Sequence, residues 1–590
     1  MRKNIFALIL SFGLLAAGCR MPSRPVSSFS SQPGEGYYLP EPPQPTQTPF
    51  QPDATAFTTP GVPPENALQP VLTEAAALPG SSVYLPLAPQ TSHTIWIDPA
   101  LPAALRQAVT LPPDIGYSLF AEQASLRLTT GDGLPLSRWV YTLAAPFPTL
   151  VDGVASQDLR LAWIGQAAGP FAGRALLVDE STLEVFTSLW GAPGADVVQV
   201  LPVERLLEAA WQGSSSWAIL PFEALEPRWK VLEVDSQSPL RVDFDPLAYP
   251  LSVPVSLVGE PDLLAEIEAL QSSEGVAILP SSNRDPEKLT VLAMTGVTAL
   301  VRATAYTMEQ RGILYPGKDI GPWLREADIT HISNEVPFAS DCPHPNPVQK
   351  GMRFCSADRY IALMEDMGTD VVELTGDHFQ DWGQQAMLHT LEMYRQRGWG
   401  YYGGGENLQD GRKALIVEHN GNRLAFIGCN GKGGSFAQAG ASRPGAVTCD
   451  FPWMEAEISR LRAEGYLPVA TFQHFEYYTY KAQLNQKRDF RALARAGAVV
   501  ISGSQAHQPQ GLEFLDGVLI HYGLGNLFFD QYDISPATRQ GFIDRHVFYD
   551  GRYIGTELLT IQFVDYARPR PMTPAEREDV LNKVFKASGW

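Results

Sequence analysis

The sequence predicts an α/β protein with two folded regions, residues 81–285 and 286–590. In the first region, short apolar runs alternate with helix-like segments, which is the pattern of parallel strands joined by helices. In the second region, apolar runs lead directly into His, Asp, Asn or Glu. Strands of α/β sheets place ligand-binding side chains at their carboxyl ends in this way. The length of 590 residues is also enough for more than one hydrophobic core.

The first 18 residues have the pattern of a secretory signal peptide. Arg2 and Lys3 precede an apolar run at residues 5–17 that is too short to span a bilayer comfortably. Gly18 and Cys19 follow the run, and the stretch LAAGC at residues 15–19 resembles the bacterial lipobox. That resemblance implies cleavage before Cys19 and lipidation of its sulfur. We therefore expect an exported protein that is lipid-anchored to the cell membrane and faces outside the cytoplasm. The alternative is an ordinary signal peptide beside an incidental cysteine.

Residues 19–80 are predicted to be a lipid-anchored, proline-rich linker. Between residues 20 and 70, 13 of 51 residues are proline, and Ser, Thr, Gln and Gly make up much of the rest. Such a segment buries too little apolar surface to fold, and proline favours an extended spacer. This composition favours a stalk at the cell surface, with a proline-rich docking ligand as the alternative.

The net charge narrows the range of partners. The chain has 64 Asp and Glu residues against 44 Lys and Arg residues, a formal net charge of −20 at pH 7. An acidic surface repels phosphate, so we expect no general nucleic-acid binding. We expect the membrane to be a partner through the lipid anchor rather than through charge. An anionic ligand would need a local basic or metal-bearing site on this protein.

The four cysteines that follow Cys19 are predicted to form disulfides. An even number of cysteines in an exported chain favours this outcome, and four cysteines allow three connectivities. Because short loops close most readily, we expect two local pairs. These pairs are Cys342 with Cys355 and Cys429 with Cys449. A zinc site is the alternative, but the chain has no Cys-x-x-Cys pair.

The first region contains the stretch WAILPFEAL at residues 217–225 and the return YPL at residues 249–251. On these residues, it resembles the type-II periplasmic substrate-binding proteins, which have two α/β lobes. It implies a small-molecule ligand between the lobes, near residues 214–216 or the loop after Ala145. The alternative is a degenerate domain used for packing or partner contact. Strands are predicted at 139–147, 161–164, 175–178, 196–200 and 217–220, and helices at 181–189 and 203–211.

The second region places imidazole and carboxylate groups directly after apolar runs. The residues concerned are Glu335, Asp377, His378, His474 and His507. Because the carboxyl ends of neighbouring parallel strands meet at one edge, we expect several of these side chains to share one rim. Imidazoles and carboxylates on one rim are the ingredients of a transition-metal hydrolytic site.

The stretch HYGLGNLFFD at residues 521–530 is the most specific motif of the second region. With the motifs that precede it, residues 289–530 resemble the CapA capsule-synthesis family, whose domain has a calcineurin-like metallophosphoesterase fold. The resemblance implies an α-β-β-α sandwich. It also implies a part in making, exporting or anchoring an envelope polymer such as poly-γ-glutamate. The earlier motifs occur in the family's order at residues 294–297, 333–337, 376–383, 474–477 and 503–507.

The resemblance implies a metal site that this sequence keeps in part. Val297 stands where the family has an Asp, and Gln505 stands where it has a His. Asp377 stands where an Asn is usual. The implied metal is Mn, Fe or Zn. The remaining candidate ligands are Asp377, His378, His474, His507, and Glu335 or Glu476, and the implied catalytic residues are His474, His507 and Asn526.

Two functions remain open at this point. The first is metal-assisted hydrolysis or transfer at an acyl or phosphoryl centre of an envelope polymer, which the retained histidines favour. The second is a non-catalytic ligand-binding or scaffold lipoprotein with a degenerate metallophosphoesterase site, which Val297 favours. For either function, the expected partner is an anionic envelope polymer or a small-molecule ligand.

A final helix is predicted from Thr573 to about Ala587. Thr573 suits the N-cap position and Pro574 suits the first turn. Glu576, three residues after Thr573, completes a capping box. We expect this helix to pack as a finishing element on the second region, without a chemical role.

Overall fold

The computed structural model describes residues 93–212, 216–272 and 278–590. The predicted signal peptide, the lipidation site Cys19 and the linker lie outside the described residues, as do Ser214 and Ser215 of the predicted ligand site. Within the described ranges, no helix is both long enough and apolar enough to cross a membrane.

The first region forms one mixed sheet with helices packed against it. The strands are β1 (His93–Ile97), β2 (Ile115–Tyr117), β3 (Leu126–Thr130), β4 (Leu134–Pro146), β5 (Gly153–Val154), β6 (Leu176–Val178), β7 (Val198–Val200), β8 (Trp217–Pro221), β9 (Trp229–Val234) and β10 (Ser252–Gly259). The helices are α1 (Ala103–Ala108), α2 (Ser156–Trp163), α3 (Glu180–Trp190), α4 (Val203–Gln212) and α5 (Pro261–Ser272).

The order of this sheet is β2-β1-β3-β10-β4-β8-β6-β7, and β9 joins β4 to β5. Strand β6 runs parallel to β7 and β8, as the sequence predicts. The long strands β4 and β10, however, run antiparallel to each other and to their other neighbours β8 and β3. This central pair joins a half built from β1–β3 to a half built from β5–β9. The predicted two-lobed α/β arrangement is therefore confirmed.

One predicted strand is wrong. Residues 161–164 form the end of α2 and the turn after it, not a strand. The side chains of Leu159, Ala162 and Trp163 are buried, which is the three- and four-residue spacing of a helix face. Four apolar residues in a row do not distinguish a strand from a buried helix segment. The predicted helices at 181–189 and 203–211 are confirmed as α3 and α4.

In its described residues, the second region contains two large sheets and two small two-stranded sheets, β13-β14 and β17-β20. Its strands are β11 (Leu289–Thr298), β12 (Ile329–Asn334), β13 (Phe338–Ala339), β14 (Ser356–Ala357), β15 (Val371–Glu373), β16 (Gly400–Tyr402), β17 (Gly404–Gly405), β18 (Leu415–His419), β19 (Asn422–Asn430), β20 (Gly445–Ala446), β21 (Leu467–Gln473), β22 (Val500–Ser502), β23 (Leu512–Leu515), β24 (Val518–His521), β25 (Asn526–Phe528), β26 (Gln540–Tyr549), β27 (Arg552–Phe563) and β28 (Pro569–Pro571). Its helices are α6 (Arg302–Arg311), α7 (Gly321–Arg325), α8 (Ile361–Asp366), α9 (Gln384–Arg395), α10 (Leu408–Gly411), α11 (Phe451–Ala463), α12 (Leu484–Arg495) and α13 (Pro574–Ser588).

The two large sheets pack face to face. One has the order β16-β15-β12-β11-β26-β27-β28, and the other has the order β18-β19-β21-β22-β24-β23. Side chains of both sheets, such as Met294 of β11 and Val469 of β21, share one buried apolar cluster. Helices α6 to α9 cover the outer face of the first sheet, and α11 and α12 cover that of the second. The predicted α-β-β-α sandwich is therefore confirmed.

Helix α13 begins as the sequence predicts. The hydroxyl of Thr573 accepts a hydrogen bond from the backbone N–H of Glu576, and the Glu576 side chain returns to the N–H of Thr573. The helix buries Val580, Leu581 and Val584 in the apolar cluster between the sheets. It therefore finishes the second region, as expected.

Aromatic side chains join the end of the chain to the first region. Trp590 packs edge-on against Trp211 with ring centroids 5.8 Å apart, and it also contacts Phe147 at 6.0 Å. Phe147 in turn lies 5.1 Å from Phe514 of β23. The loop after Ala145, a predicted ligand position, therefore contributes to the contact between the two regions.

Candidate functional site

The candidate site is a cavity at the carboxyl ends of parallel strands from both sheets of the second region. Its volume is about 480 Å³. Each strand is followed within a few residues by a side chain that lines the cavity. These side chains are Glu335 after β12, His378 after β15, Lys432 after β19, Glu476 after β21 and His507 after β22.

Glu335 is the centre of this cluster. It belongs to two groups whose potential ligand atoms lie within 4.8 Å of one another, one with Asp377 and His378 and the other with Glu476 and His507. Glu335 is 1% exposed, and its Oε1 has no hydrogen-bond partner among the described residues. Burial raises the pKa of this carboxyl. A buried, unpartnered carboxylate of this kind is suited to bind a ligand.

Lys432 brings a positive charge into the same cluster. Its Nζ lies 3.2 Å from Oδ2 of Asp377 and donates a hydrogen bond to Oε1 of Glu476. Burial opposes ionisation of these carboxyls, but His507 and Lys432 outweigh it and lower the pKa of Glu476 to about 2. Lys432 and His378 likewise lower the pKa of Asp377 against the effect of burial. Both carboxylates are therefore charged at neutral pH.

Asp377 is held by a chain of side-chain amides. The Nε2 of Gln473 donates to Oδ1 of Asp377 at 2.9 Å, and the Nδ2 of Asn430 donates to Oε1 of Gln473 at 2.7 Å. Asn430 also donates to the backbone oxygen of Thr375 at 2.7 Å. The ends of β19 and β21 therefore fix the position of a carboxylate that follows β15.

His378 forms a dyad with Asp381. The Nδ1 of His378 lies 2.7 Å from Oδ2 of Asp381, which also accepts a hydrogen bond from the backbone N–H of Phe354. Burial disfavours the charged ring, but Asp381, Glu335 and Asp377 together raise the pKa of His378 to about 9. The Nε2 atom of the ring lies 3.9 Å from Oδ1 of Asp377, and His378 belongs to the first group around Glu335. This geometry is suited to proton transfer at Nε2.

His507 and Asn526 form a second oriented pair. The Nδ1 of His507 lies 2.9 Å from Oδ1 of Asn526, and the Nε2 lies 3.2 Å from Oε1 of Glu476. The Nδ2 of Asn526 donates to the backbone oxygen of His507 at 3.1 Å. The His507 ring stacks on Phe529 with centroids 5.1 Å apart. Asn526 therefore fixes the orientation of the His507 ring.

The structure does not bring His474 into either group around Glu335. Its Nε2 lies 3.0 Å from Oδ2 of Asp489, a buried residue of α12, and its ring packs beside Phe472 and Phe490. His474 was predicted as a ligand because it follows β21 directly. The side chain two residues later, that of Glu476, lines the cavity instead.

Val297 and Gln505, the two departures that replace implied ligands, contribute no ligand atom to the site. Val297 is fully buried in an apolar cluster with Val336, Phe354 and Phe529. The amide Nε2 of Gln505 donates to Oγ of Ser333 at 2.6 Å. Neither side chain belongs to the groups around Glu335.

Arg302 supplies a second cation to the cavity. Its guanidinium binds Asp530 through Nε, at 3.1 Å from Oδ2, and through Nη2. It lies over the rings of Phe354 and Phe529, 5.0 and 5.1 Å from their centroids. Arg302 adopts a φ of 44°, a left-handed conformation that is costly for any residue other than glycine. The fold therefore holds this cation in place at the cavity wall.

Both predicted disulfides are present. Cys342 is bonded to Cys355, and Cys429 is bonded to Cys449. The first closes a loop whose residues Pro347, Gln349 and Met352 line the cavity. The second disulfide links Cys429, near the end of β19 and shortly before Lys432, to Cys449 in the segment that precedes α11.

The donor types of the cluster suit a transition metal, but the arrangement does not fit a metal pair. Each group offers two carboxylates and one imidazole. However, Lys432 already contacts a carboxylate of each group, Asp377 in one and Glu476 in the other. Val297 supplies no carboxylate to bridge two ions. The arrangement therefore supports no chemical step through a metal pair.

Sequence reasoning missed Lys432, Arg302 and the role of Asp381. The signal for Lys432 was present, because Gly431, Lys432, Gly433 and Gly434 directly follow the apolar run of β19. A charged residue between glycines after a buried strand is a common loop for binding ligands. Arg302 carried no comparable signal, since nothing in its neighbourhood in the sequence predicts a left-handed backbone.

Parts of this chain are similar to one protein family and to two CapA proteins. Residues 291–531 match the family described as bacterial capsule synthesis protein PGA_cap. Capsule biosynthesis protein CapA of Bacillus anthracis is 26% identical over 313 residues, which are 52% of this chain and 74% of that protein. PGA biosynthesis protein CapA of Bacillus subtilis (strain 168) is 28% identical over 196 residues, 32% of this chain and 52% of that protein. The match therefore spans about half the length of the second relative.

Among solved structures, the 5′-nucleotidase precursor from Thermus thermophilus is similar to part of this chain. It has 14% sequence identity and a TM-score of 0.29, and the alignment covers 51% of this chain and 58% of that one. The α-β-β-α fold of the second region is established by its own sheet order and layers, not by this similarity.

Proposed function

We propose a function on the premise that residues 291–531 form a capsule-synthesis domain of the PGA_cap family, as the resemblance to CapA predicted. The protein takes part in the biosynthesis, export or anchoring of an envelope polymer of the poly-γ-glutamate type. This role follows from the two relatives, which are named for capsule and PGA biosynthesis. The lipid anchor at Cys19 would place this activity at the outer face of the cell membrane.

One observation supports the proposal most strongly. The matched segment contains a cavity in which the buried carboxylate of Glu335 lies among two imidazoles and Lys432, and no residue in the described part of the chain hydrogen-bonds its Oε1. A fold kept only for packing would not need to hold this combination of charges together, because each buried charge destabilises the fold unless it is compensated.

The cavity is suited to bind an anionic group of the polymer or of its precursor. Arg302 and Lys432 lie at the wall of the cavity, and each is also paired with a carboxylate of this chain. A carboxylate or phosphoryl oxygen can accept hydrogen bonds from both cations. His378, oriented by Asp381, would then donate or accept a proton at Nε2 during hydrolysis or transfer.

The proposal is tested by measuring cell-associated polymer. A strain that lacks the gene is complemented with the wild-type chain, with Glu335→Gln or with His378→Ala. We expect both variants to lower polymer by about tenfold or more, since each removes a group from the cavity. The control is His389→Ala, because His389 is exposed and pairs with Asp358 outside the cavity. Normal polymer in the deletion strain would contradict the proposal.

A second function, that of a scaffold, is favoured by Val297 and Gln505. These residues replace the ligands that the family resemblance implies. The same experiment separates the two functions. If Glu335→Gln and His378→Ala restore full polymer while the deletion strain makes none, the cavity is not catalytic and the scaffold function stands.

A further inference from the structure

We propose that the ammonium group of Lys432 is the resident cation of the carboxylate cluster, in the place where a metallophosphoesterase site would hold divalent metal. The inference rests on the proposed function in that it concerns the same cavity, and it names the group that carries the positive charge there. It can fail while the proposed function holds, because it is tested by metal binding and not by polymer.

The contacts of Lys432 support this assignment. Its Nζ lies 3.2 Å from Oδ2 of Asp377 and is hydrogen-bonded to Oε1 of Glu476. Asp377 belongs to one potential metal group and Glu476 to the other, and Glu335 is common to both. One ammonium therefore bridges the two groups. A divalent ion that enters either group must share a carboxylate with Lys432 and must approach a like charge.

The position of Lys432 is fixed by the backbone on both sides. Cys429 is held by its disulfide to Cys449, and the N–H of Gly431 donates to the oxygen of Gln473 at 2.9 Å. The N–H of Gly433 donates to Oδ1 of Asn430 at 2.6 Å. A lysine on a loop tied at these points is not a surface side chain that enters the cluster by chance.

Glycine is required beside Lys432. A Cβ atom at Gly433 would lie 2.8 Å from Cβ of Asp377, which is closer than such atoms approach. Glycine therefore lets the loop come near enough for the Lys432 ammonium to reach the Asp377 carboxylate. The loop and the carboxylate are shaped for each other.

Two of the ligands that the family resemblance implies are absent from this chain, which suits a singly charged ammonium better than a pair of divalent ions. Val297 provides no carboxylate, and Gln505 is turned towards Ser333. A metal pair needs a fixed number of ligands at fixed distances. An ammonium carries a single charge and donates up to three hydrogen bonds without a strict coordination geometry. The donors that remain are sufficient for the ammonium.

Metal binding by the full chain tests the inference. The wild-type protein is stripped with chelator and titrated with Mn²⁺ or Zn²⁺ by calorimetry, and metal content is measured after dialysis. We expect the wild type to retain less than about a tenth of an ion per chain, and Lys432→Met to bind about one ion, at least about tenfold more tightly. Lys432→Gln serves as a second neutral variant if Lys432→Met does not fold.

Three further variants identify the cause of any gain. Lys432→Arg keeps the positive charge in the cluster and should stay free of metal. Lys413→Met is the matched control, because it removes a lysine that is 71% exposed and does not line the cavity, and it should also stay free of metal. Adding Glu335→Gln to Lys432→Met should abolish the gained binding. The inference is overturned if the wild type binds metal as tightly as Lys432→Met. It is equally overturned if folded Lys432→Met and Lys432→Gln both remain free of metal.

Discussion

Burial determines the protonation state of single residues between the two sheets of the second region. His331 of β12 is fully buried, its Nε2 lies 2.9 Å from the hydroxyl of Tyr402, and its ring stacks on Phe426 of the opposite sheet. Glu373 lies 3.6 Å away, but burial dominates and lowers the pKa of His331 to about 3. His331 is therefore neutral in the folded protein at neutral pH.

This neutral histidine predicts a loss of stability in mild acid. Below about pH 6.5 the unfolded chain binds a proton at His331 while the folded chain does not, so the free energy of unfolding falls as pH falls. The decrease attributable to His331 is about 1.4 kcal/mol per pH unit down to the folded pKa. Urea unfolding of the wild type and of His331→Gln over this range measures it. The variant should show a shallower pH dependence, and identical slopes would contradict the prediction. His389→Gln, at an exposed site, is the control.

The sequence predicts a site residue wherever the end of a buried strand can be recognised in it. Glu335, Asp377, His378 and His507 each follow a buried strand directly or closely, and the structure gathers them around one cavity. His474 has the same sequence signal and lies elsewhere, because the signal gives the position along the chain but not the direction of the side chain. That direction depends on Asp489, a contact that local pattern does not contain.

At the scale of elements, local signals were sufficient for a helix with a capping box, but they were insufficient for the end of α2 at residues 161–164 and for strand direction. The capping box at Thr573 predicted the start of α13 because all its hydrogen bonds lie within one turn. The antiparallel pairing of β4 with β10 depends on residues more than a hundred positions apart. No local pattern specifies such a pairing, so strand–helix alternation alone predicted a more parallel sheet than the one observed.

The disulfide between Cys429 and Cys449 should stabilise the loops that follow β19. It links residues 20 positions apart. Restricting an unfolded loop of this size is worth about 3 kcal/mol. We therefore expect the double variant Cys429→Ser, Cys449→Ser to lower the free energy of unfolding by about that amount in urea under oxidising conditions. Reductant should have no further effect at this pair, and an unchanged unfolding midpoint would contradict the prediction.

At the scale of the whole molecule, the two regions are joined by ion pairs as well as by aromatic contacts. Arg577 of α13 binds both carboxylate oxygens of Asp152, at 2.6 and 2.7 Å, and Lys230 of β9 binds the same carboxylate at 2.7 Å. Burial would raise the pKa of Asp152, but Arg577 and Lys230 lower it to about 2. The Asp152 carboxylate therefore stays charged throughout the physiological range.

A double-mutant cycle measures this link. The single variants Arg577→Ala and Asp152→Ala and their combination are compared by urea unfolding. Because Asp152 is 48% exposed, solvent weakens the pair, and we expect a coupling energy of about 1 kcal/mol. Full additivity of the two single variants would show that the pair does not join the regions. Lys583 and Asp579, an exposed pair within α13, provide the comparison cycle.

The pairing of β11 with β26 also determines how late in protein synthesis the first sheet of the second region can form. Leu289 at the start of β11 faces Tyr549 at the end of β26, and β11 is buried along its whole length. During synthesis from the amino terminus, the centre of this sheet has an open edge until the chain beyond residue 549 has been made. Folding through such distant contacts is slow, because a long loop must close first. The first sheet of the second region is therefore completed only late in translation, and until then its open edge is exposed to chaperones.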